Sequence, residues 1–245
     1  MRTLKITLAY DGTRFVGWQR QAEGESIQGL LEDALARFEG GPVTAHGAGR
    51  TDAGVHALGQ VASARVTFTH DPATLTRALN ANLPEEIRVL AVEDAEEEFH
   101  ARFSASGKTY RYRIRNAPVA DPFDRAFAWH LPEPLALGEM NRAAALLVGT
   151  HDFSAFRSVG SDLSSTVRTV TRSEWHHSGS LLTYEIAGDG FLRHMVRAIV
   201  GTLVEVGRGW RQADETSALL AGGQRANAGA TAPPHGLFLA SVDYD

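Results

Sequence analysis

The sequence has no cysteine among its 245 residues, and no apolar run in it approaches the length of a membrane span. The first absence excludes metal sites built on thiolates, and the second excludes a transmembrane helix. The N-terminus also lacks the charged start and apolar stretch of a secretory leader. We therefore expect a soluble cytoplasmic protein without a membrane partner. A chain of this length can bury a sizeable core, as one large domain or as two smaller lobes.

A basic excess is also absent, since the formal net charge is -5. Nucleic-acid binding usually appears as an excess of basic residues, but a total hides how the charges are distributed. An acidic cluster at residues 93–98 is typical of a solvated loop or a helix start. Residues 99–116 contain no acid and carry Arg102, Lys108, Arg111, Arg113 and Arg115. The net charge therefore does not exclude a nucleic-acid partner.

Residues 47–57 form a glycine-rich stretch with one carboxylate, Asp52, at its centre. Its glycines, at positions 47, 49 and 54, permit positive φ angles and the close approach of another molecule, which helix and strand interiors do not favour. A short β-like run precedes it at 42–45, and a longer one follows at 59–66. The pattern predicts a loop that holds Asp52 at the edge of a sheet.

Three common functions of such a loop each fail on a residue. A dinucleotide-binding motif should have glycine where Asp52 stands, and the carboxylate would repel a pyrophosphate. A P-loop should have lysine where Val55 stands. A metal site would need more ligands, because His46 and His56 lack the usual short spacings to Asp52. Asp52 is then left to act alone as nucleophile or base, with Arg50 for orientation and charge balance; a solvated surface pair of the two is the alternative.

The first part of the chain predicts alternating strands and helices. A strand with period-two alternation covers Leu4 to Tyr10. Ser26 caps a helix that ends at Gly40, and Asp71 with Pro72 begins a shorter one. Further strands are expected at 60–66 and 87–92, so the order is that of a ferredoxin-like α/β unit with a mostly antiparallel sheet.

A second informative strand lies at residues 108–115. Strict alternation places Tyr110, Tyr112 and Ile114 on one face and three arginines on the other. In an ordinary strand the tyrosines would point inward and the arginines into water. Alternatively, a tyrosine ring stacks on a nucleobase, which is worth about 1 to 3 kcal/mol per base. The two interpretations are compatible if one tyrosine packs inside and the other faces a cleft.

The rest of the chain predicts a second lobe. The first lobe is expected over residues 1–105 and the second over 106–245, with a crossover at about 116–137. Within the second lobe we expect a helix at 140–148, a loop at 151–156, a basic Ser/Thr-rich loop at 157–172, a hairpin at 166–187, a helix at 190–201 and a final strand that closes the second sheet.

Arg197 occupies a special position in the helix expected at 190–201. That helix is apolar over most of its circumference, so it should be buried, and a buried cation requires a carboxylate partner. Glu205 is one candidate for the partner, although it lies too far along the helix for an i,i+4 pair. Asp52 is the other.

Segments spread over nearly the whole chain together resemble the tRNA pseudouridine synthase A (TruA) family. They are Tyr10-Asp11-Gly12 to Trp18-Gln19, Arg50-Thr51-Asp52, Asn80-Ala81-Asn82-Leu83-Pro84, Phe99-His100-Ala101-Arg102-Phe103-Ser104-Ala105, Tyr110-Arg111-Tyr112, His194-Met195-Val196-Arg197 and Ala232-Pro233-Pro234-His235-Gly236-Leu237. The resemblance implies two α/β lobes related by a pseudo-twofold, whose sheets join into one central sheet flanked by helices.

The resemblance also implies a function. The expected reaction is isomerisation of uridine to pseudouridine at positions 38 to 40 of the tRNA anticodon stem-loop, by a homodimer that needs no cofactor and no metal. Asp52 is implied as the nucleophile, Arg197 as its ion-pair partner, and Tyr110 as the ring on the target uracil and a possible proton acceptor. Further substrate contacts are expected from Arg14, Arg50, His56 and Arg193.

Two rival functions remain at this point. One is a non-catalytic module that binds structured RNA, which would have no reason to bury Arg197 opposite a loop carboxylate. The other is a hydrolase that uses Asp52 as a base, which would normally have a second acid or a metal ligand near the loop.

Overall fold

The computed structural model describes residues 1–158 and 165–245, which form two compact units. The first unit contains Met1–Ser106 and Phe238–Asp245, and the second contains Gly107–Leu237. The strands are β1 (Arg2–Tyr10), β2 (Ala45–Gly47), β3 (His56–Val66), β4 (Ile87–Ala95), β5 (Ala105–Asn116), β6 (Trp129–Leu131), β7 (Gly149–Asp152), β8 (Val167–Ser178), β9 (Leu181–Gly188) and β10 (Leu237–Tyr244). The helices are α1 (Ile27–Glu39), α2 (Pro72–Asn82), α3 (Leu137–Ala145), α4 (Met195–Gly207) and α5 (Glu215–Leu220).

The sheet of the first unit confirms the predicted ferredoxin-like order. Strand β1 pairs antiparallel with β3 on one side and β4 on the other, and β2 pairs antiparallel with β3. At its other end β3 pairs in parallel with β10, where His56 lies opposite Phe238. The expected division assigned the last eight residues to the second lobe, whereas their contacts group them with the first unit.

Both helices of the first unit begin at the caps that the sequence predicts. The Ser26 hydroxyl accepts a hydrogen bond from the Gly29 N–H at 3.2 Å, and the Asp71 carboxylate accepts one from the Thr74 N–H at 2.9 Å. Gly40 ends α1 at φ 73°, a left-handed conformation that costs glycine little. The apolar face of each helix is buried, with Leu31 and Leu35 of α1 fully enclosed.

The acidic cluster was expected in a solvated loop or at a helix start, but its first two residues lie in a strand. Glu93 and Asp94 belong to β4, beside β1, and form ion pairs with Lys5 at 3.4 Å and with Arg2 at 3.0 Å. Cross-strand pairing with these cations lets acidic residues continue a strand whose inward-facing side chains, Ile87, Val89 and Val92, are buried.

The second unit has an antiparallel sheet in the order β5-β9-β8-β7, with β6 added in parallel on β5. The predicted hairpin is confirmed as β8 and β9. Strand β5 alternates as expected, since Tyr110, Tyr112 and Ile114 are all buried. On its other face Arg111 pairs with Glu185 of β9 at 2.6 Å.

Several boundaries in the second unit differ from the sequence predictions. The first two residues of the loop expected at 151–156 belong to β7. The helix expected at 140–148 begins earlier, at Leu137. The helix expected at 190–201 starts only at Met195 and runs to Gly207, because His194 has a positive φ of 63° and cannot continue a helix on its N-terminal side. Of the loop expected at 157–172, residues 159–164 lie outside the described residues, and residues 167–172 belong to β8. In the described parts of the chain, no helix has both the length and the low polarity that crossing a bilayer requires.

Candidate active site

Asp52 lies in the loop that joins β2 to β3, and its side chain is partly exposed. The loop turns tightly after it, with the Val55 N–H donating to the Asp52 carbonyl at 3.1 Å. Upstream, the Trp18 N–H donates to the Thr51 carbonyl at 3.0 Å. The backbone is therefore held on both sides of the carboxylate.

Two glycines let the neighbouring segments approach this closely. A Cβ on Gly17, whose φ is 107°, would lie 2.6 Å from the Thr51 carbonyl oxygen. A Cβ on Gly47 would overlap the indole ring of Trp18. The glycine content predicted a close approach by another molecule, and part of it serves contacts within the protein.

A buried polar network supports the loop from beneath. The Tyr10 hydroxyl lies 2.8 Å from the Thr51 hydroxyl, and the Gln60 side-chain amide donates to the Gly49 carbonyl at 2.8 Å and to Tyr10 at 3.3 Å. Burial raises the pKa of Tyr10 to about 12, so its hydroxyl stays protonated. Because Tyr10, Thr51 and Gln60 are all buried, these bonds replace water and fix the loop.

Neither Tyr10 nor Gln60 is predicted as a site residue from the sequence. The available signal was Gln60 itself, the only amide side chain in β3, directly before the small and apolar residues at 61–64. A buried polar side chain requires hydrogen-bond partners, and here two of them are in the site loop or contact it.

His56 follows the loop and is part of the core. Its ring is 1% exposed and stacks on Phe238 at a centroid distance of 4.7 Å. Its Nδ1 accepts a hydrogen bond from the Gly12 N–H at 3.0 Å. These contacts connect the end of β1 to the start of β3 beside the loop.

The two arginines predicted for the first unit have different surroundings. Arg50 is exposed beside Asp52. Arg14 pairs with Glu86 at 2.7 Å and also with Glu25. A phosphate contact by Arg14 would therefore compete with two carboxylates.

In the second unit, Tyr110 and Tyr112 have different surroundings. Tyr110 is 8% exposed and meets Phe191 edge to face, with ring centroids 5.0 Å apart. Tyr112 is fully buried, donates its hydroxyl to the Pro233 carbonyl at 2.8 Å, and has its pKa raised by burial. Both rings are buried, but Tyr112 is completely enclosed whereas Tyr110 keeps a small exposed fraction, which leaves Tyr110 as the candidate for stacking.

Arg197 of α4 is connected to a backbone segment near the C-terminus. Its Nε donates to the Ala232 carbonyl at 2.8 Å, and its own carbonyl accepts from the Ala232 N–H at 3.0 Å. The nearby His235 has its pKa lowered by burial and, to a smaller extent, by the charge of Arg197. The guanidinium is thus held in one orientation.

Glu205, the alternative partner for Arg197, is engaged elsewhere. Its carboxylate lies 3.2 Å from Arg211 and accepts from the Ala230 N–H at 3.3 Å. Arg193, the last of the predicted basic residues, is exposed one position before His194, whose ring is hydrogen-bonded to Ser158.

The structure thus groups the predicted residues by unit. The first unit contains Arg50 and Asp52 in one loop and His56 at the start of β3. Arg14 lies on a separate segment of that unit. Arg193 lies two residues before α4, Arg197 lies in the first turn of α4, and Tyr110 lies on β5 of the same unit. Within residues 1–158 and 165–245, no three histidine or carboxylate side chains cluster as metal ligands would.

Comparison with known proteins identifies the family. A family model described as tRNA pseudouridine synthase matches residues 6–104 and 143–245. Relatives named tRNA pseudouridine synthase A are 46% identical over 244 residues in Syntrophotalea carbinolica (100% of this chain, 97% of the relative) and 43% identical over 244 residues in Thermoanaerobacter sp. strain X514 (100% of both). In Methylacidiphilum infernorum the relative of that name is 46% identical over 98% of this chain and 94% of its own. The chain therefore belongs to the tRNA pseudouridine synthase family, which confirms the resemblance drawn from its motifs.

Proposed function

We propose that this protein isomerises uridine to pseudouridine at positions 38 to 40 of the tRNA anticodon stem-loop, with Asp52 as the nucleophile. The observation that carries the proposal is the Asp52 loop. Its backbone is fixed by hydrogen bonds on both sides of the carboxylate and by a buried network beneath it. A catalytic group needs this kind of preorganisation, whereas a solvated surface pair does not.

The reaction suits a single carboxylate. The bond between ribose C1′ and uracil N1 is exchanged for one between C1′ and C5, while a proton leaves C5 and N1 gains one. The net change needs no oxidant or second substrate, but the uracil must be retained while it turns. A carboxylate supplies that hold by attacking either ribose C1′ or uracil C6, and both routes are open here.

The second unit supplies the other roles in the proposal. Asp52 must be ionised to attack, and Arg197 is proposed as the cation that balances its charge. The contact of its Nε with Ala232 supports this role, because it fixes the guanidinium before substrate binds. Tyr110 is proposed to stack on the flipped uracil, which offsets part of the few kcal/mol that unstacking costs.

The remaining basic residues are proposed to contact tRNA. Arg50 and Arg193 suit this role because both are exposed. Arg14 is proposed to exchange its two glutamate partners for a phosphate. The ring of His56 is buried, so its proposed contribution is to support the backbone that contacts the tRNA. A homodimer in the cytoplasm completes the proposal and rests on the resemblance alone.

The decisive experiment incubates an unmodified tRNA transcript with the purified protein alone and maps pseudouridine by chemical labelling. Conversion at positions 38 to 40 without added cofactor is the expected result. Binding without conversion would favour the non-catalytic RNA-binding module, and release of free uracil would favour a hydrolase. Sedimentation of the same sample tests the dimer independently.

A further inference from the structure

Three aromatic rings form a column on the first unit and do not belong to the site residues already described. The rings of His46 and His100 stack at a centroid distance of 4.9 Å with their planes 26° apart. The rings of His100 and Phe103 follow at 4.4 Å and 34°. Phe103 is one end of this aromatic column (His46, His100 and Phe103) and is 76% exposed. His46, at the other end, is also exposed.

The segment that presents Phe103 is ordered by hydrogen bonds. The Nδ1 of His100 accepts from the backbone N–H groups of Arg102 at 3.1 Å and Phe103 at 3.4 Å. The Ser104 N–H donates to the His100 carbonyl at 2.9 Å, and the Ser104 hydroxyl accepts from the His100 N–H at 3.1 Å. Burial, with smaller contributions from the charges of His46 and Arg102, lowers the pKa of His100, which favours the neutral ring that can accept these bonds.

The turn is also connected to the sheet. The Ala101 N–H donates to the Ser63 hydroxyl at 3.0 Å, and the Tyr244 hydroxyl donates to the Ala101 carbonyl at 2.8 Å. Ser63 in turn lies opposite His46 in the pairing of β3 with β2. The exposed ring therefore stands on a rigid support instead of a free loop.

A single exposed aromatic residue is ordinary on a protein surface, so exposure alone is not evidence of a binding site. Phe123 in the second unit is 89% exposed, and among the residues that the structure describes no ring stacks on it. Phe103 differs because its ring packs on the ring of His100, and because the guanidinium of Arg102 lies 5.6 Å from its ring centroid. A flat ring with a neighbouring cation matches a nucleobase and its phosphate.

We infer that Phe103, with the aromatic column behind it, binds an unpaired nucleotide of the tRNA substrate by stacking on its base; this inference rests on the proposed function. The nucleotide is unpaired because the faces of a paired base are covered by its neighbours. A protein partner fits less well, since a stable interface buries about 800 Å² on each side, far more than one ring presents.

The position of the column is compatible with one tRNA molecule reaching both sites. His46 lies six residues before Asp52, so the two Cα atoms are at most about 21 Å apart along the chain. Glutamates at 96–98 precede the turn. The contribution of Phe103 is therefore stacking and not net positive charge.

The test measures the Kd of the full-length protein for an unmodified tRNA transcript. Phe103→Ala should weaken binding by roughly 5- to 150-fold, the range expected for one stacked base. Phe103→Trp should restore it, because indole also stacks. Phe123→Ala is the matched control and should leave the Kd unchanged. The melting temperature of each variant is measured alongside, and little change is expected because both rings are exposed.

Salt separates stacking from charge. Stacking releases few counterions, so the ratio of Kd values between Phe103→Ala and wild type should be the same at 50 and 200 mM salt. An unchanged Kd for Phe103→Ala overturns the inference. If the mass of the oligomer changes while the Kd does not, the ring belongs to an interface between copies of this chain. If wild type binds tRNA without converting it, the proposed function fails while the Kd ratio still decides the stacking site. If wild type does not bind tRNA, both fail.

Discussion

The hydroxyl of Tyr10 lies 2.8 Å from that of Thr51, the residue immediately before Asp52. The two residues are 41 positions apart, and both are buried. Gln60 donates to the same tyrosine and to Gly49, so three separate segments meet under the loop. Because each group replaces water with a protein partner, the position of the loop is coupled to the core of the first unit.

We expect Tyr10→Phe to slow pseudouridine formation more than it destabilises the fold. Loss of the hydroxyl should cost about 1 kcal/mol of unfolding free energy, since Thr51 and Gln60 each lose a partner. Displacement of the Asp52 loop should lower kcat by about tenfold or more with little change in KM. Steady-state kinetics and urea unfolding measure the two effects.

Tyr184→Phe is the matched control for this change. It removes a buried hydroxyl that lies 2.7 Å from the Ser173 hydroxyl in the second unit, so its cost in stability should be similar. Its kcat should stay near the wild-type value. Equal losses of kcat in the two variants would mean that the Tyr10 effect is a general consequence of destabilisation.

The sequence predicts the parts of this fold that depend on local patterns. The strand alternation of β1 and β5 and the caps at Ser26 and Asp71 are local signals, and all are confirmed. The support of the Asp52 loop could not be predicted, because Tyr10, Thr51 and Gln60 meet only after the sheet has formed. The late start of α4 was missed for a similar reason: His194 adopts a positive φ that its sequence neighbours do not signal.

Asp52→Asn tests the nucleophile directly. The amide has nearly the same shape, so tRNA affinity should stay within about tenfold of wild type while turnover is lost. Asp243→Asn removes the same charge from an exposed position of the first unit and should leave turnover intact. Pseudouridine formation by Asp52→Asn at a comparable rate would refute the role of Asp52.

Arg197→Lys tests the fixed guanidinium. Lysine keeps the charge but cannot reproduce the Nε contact with Ala232 together with the remaining donors of the planar group. We expect a loss of about 1 kcal/mol in unfolding free energy and a lower kcat. The same change at Arg142, which is exposed on α3, should alter neither quantity. If Arg197→Lys unfolds and turns over as wild type does, orientation by Ala232 is unimportant.

Gly201→Ala tests how closely α4 packs on the segment before Ala232. A Cβ at this position would overlap the carbonyl oxygen of Ala230, which is backbone and cannot rotate away. We expect a loss of about 3 kcal/mol. Gly138→Ala is the matched substitution in α3, where nothing lies within 4 Å, and it should be neutral or stabilising by up to about 1 kcal/mol. Similar melting temperatures for the two variants would contradict this packing.

Acid should weaken the turn that carries Phe103. The pKa of His100 is lowered by burial and by the charges of His46 and Arg102, so the folded protein binds this proton less readily than the unfolded chain. The stabilisation is therefore complete above the ordinary histidine pKa of about 6.5 and is lost as the pH falls below it. His100→Asn keeps a side-chain acceptor for the N–H two residues later but does not titrate. Urea unfolding at pH 8 and pH 5 should show a larger loss of unfolding free energy in wild type than in His100→Asn. Equal losses would mean that protonation of His100 does not open the turn.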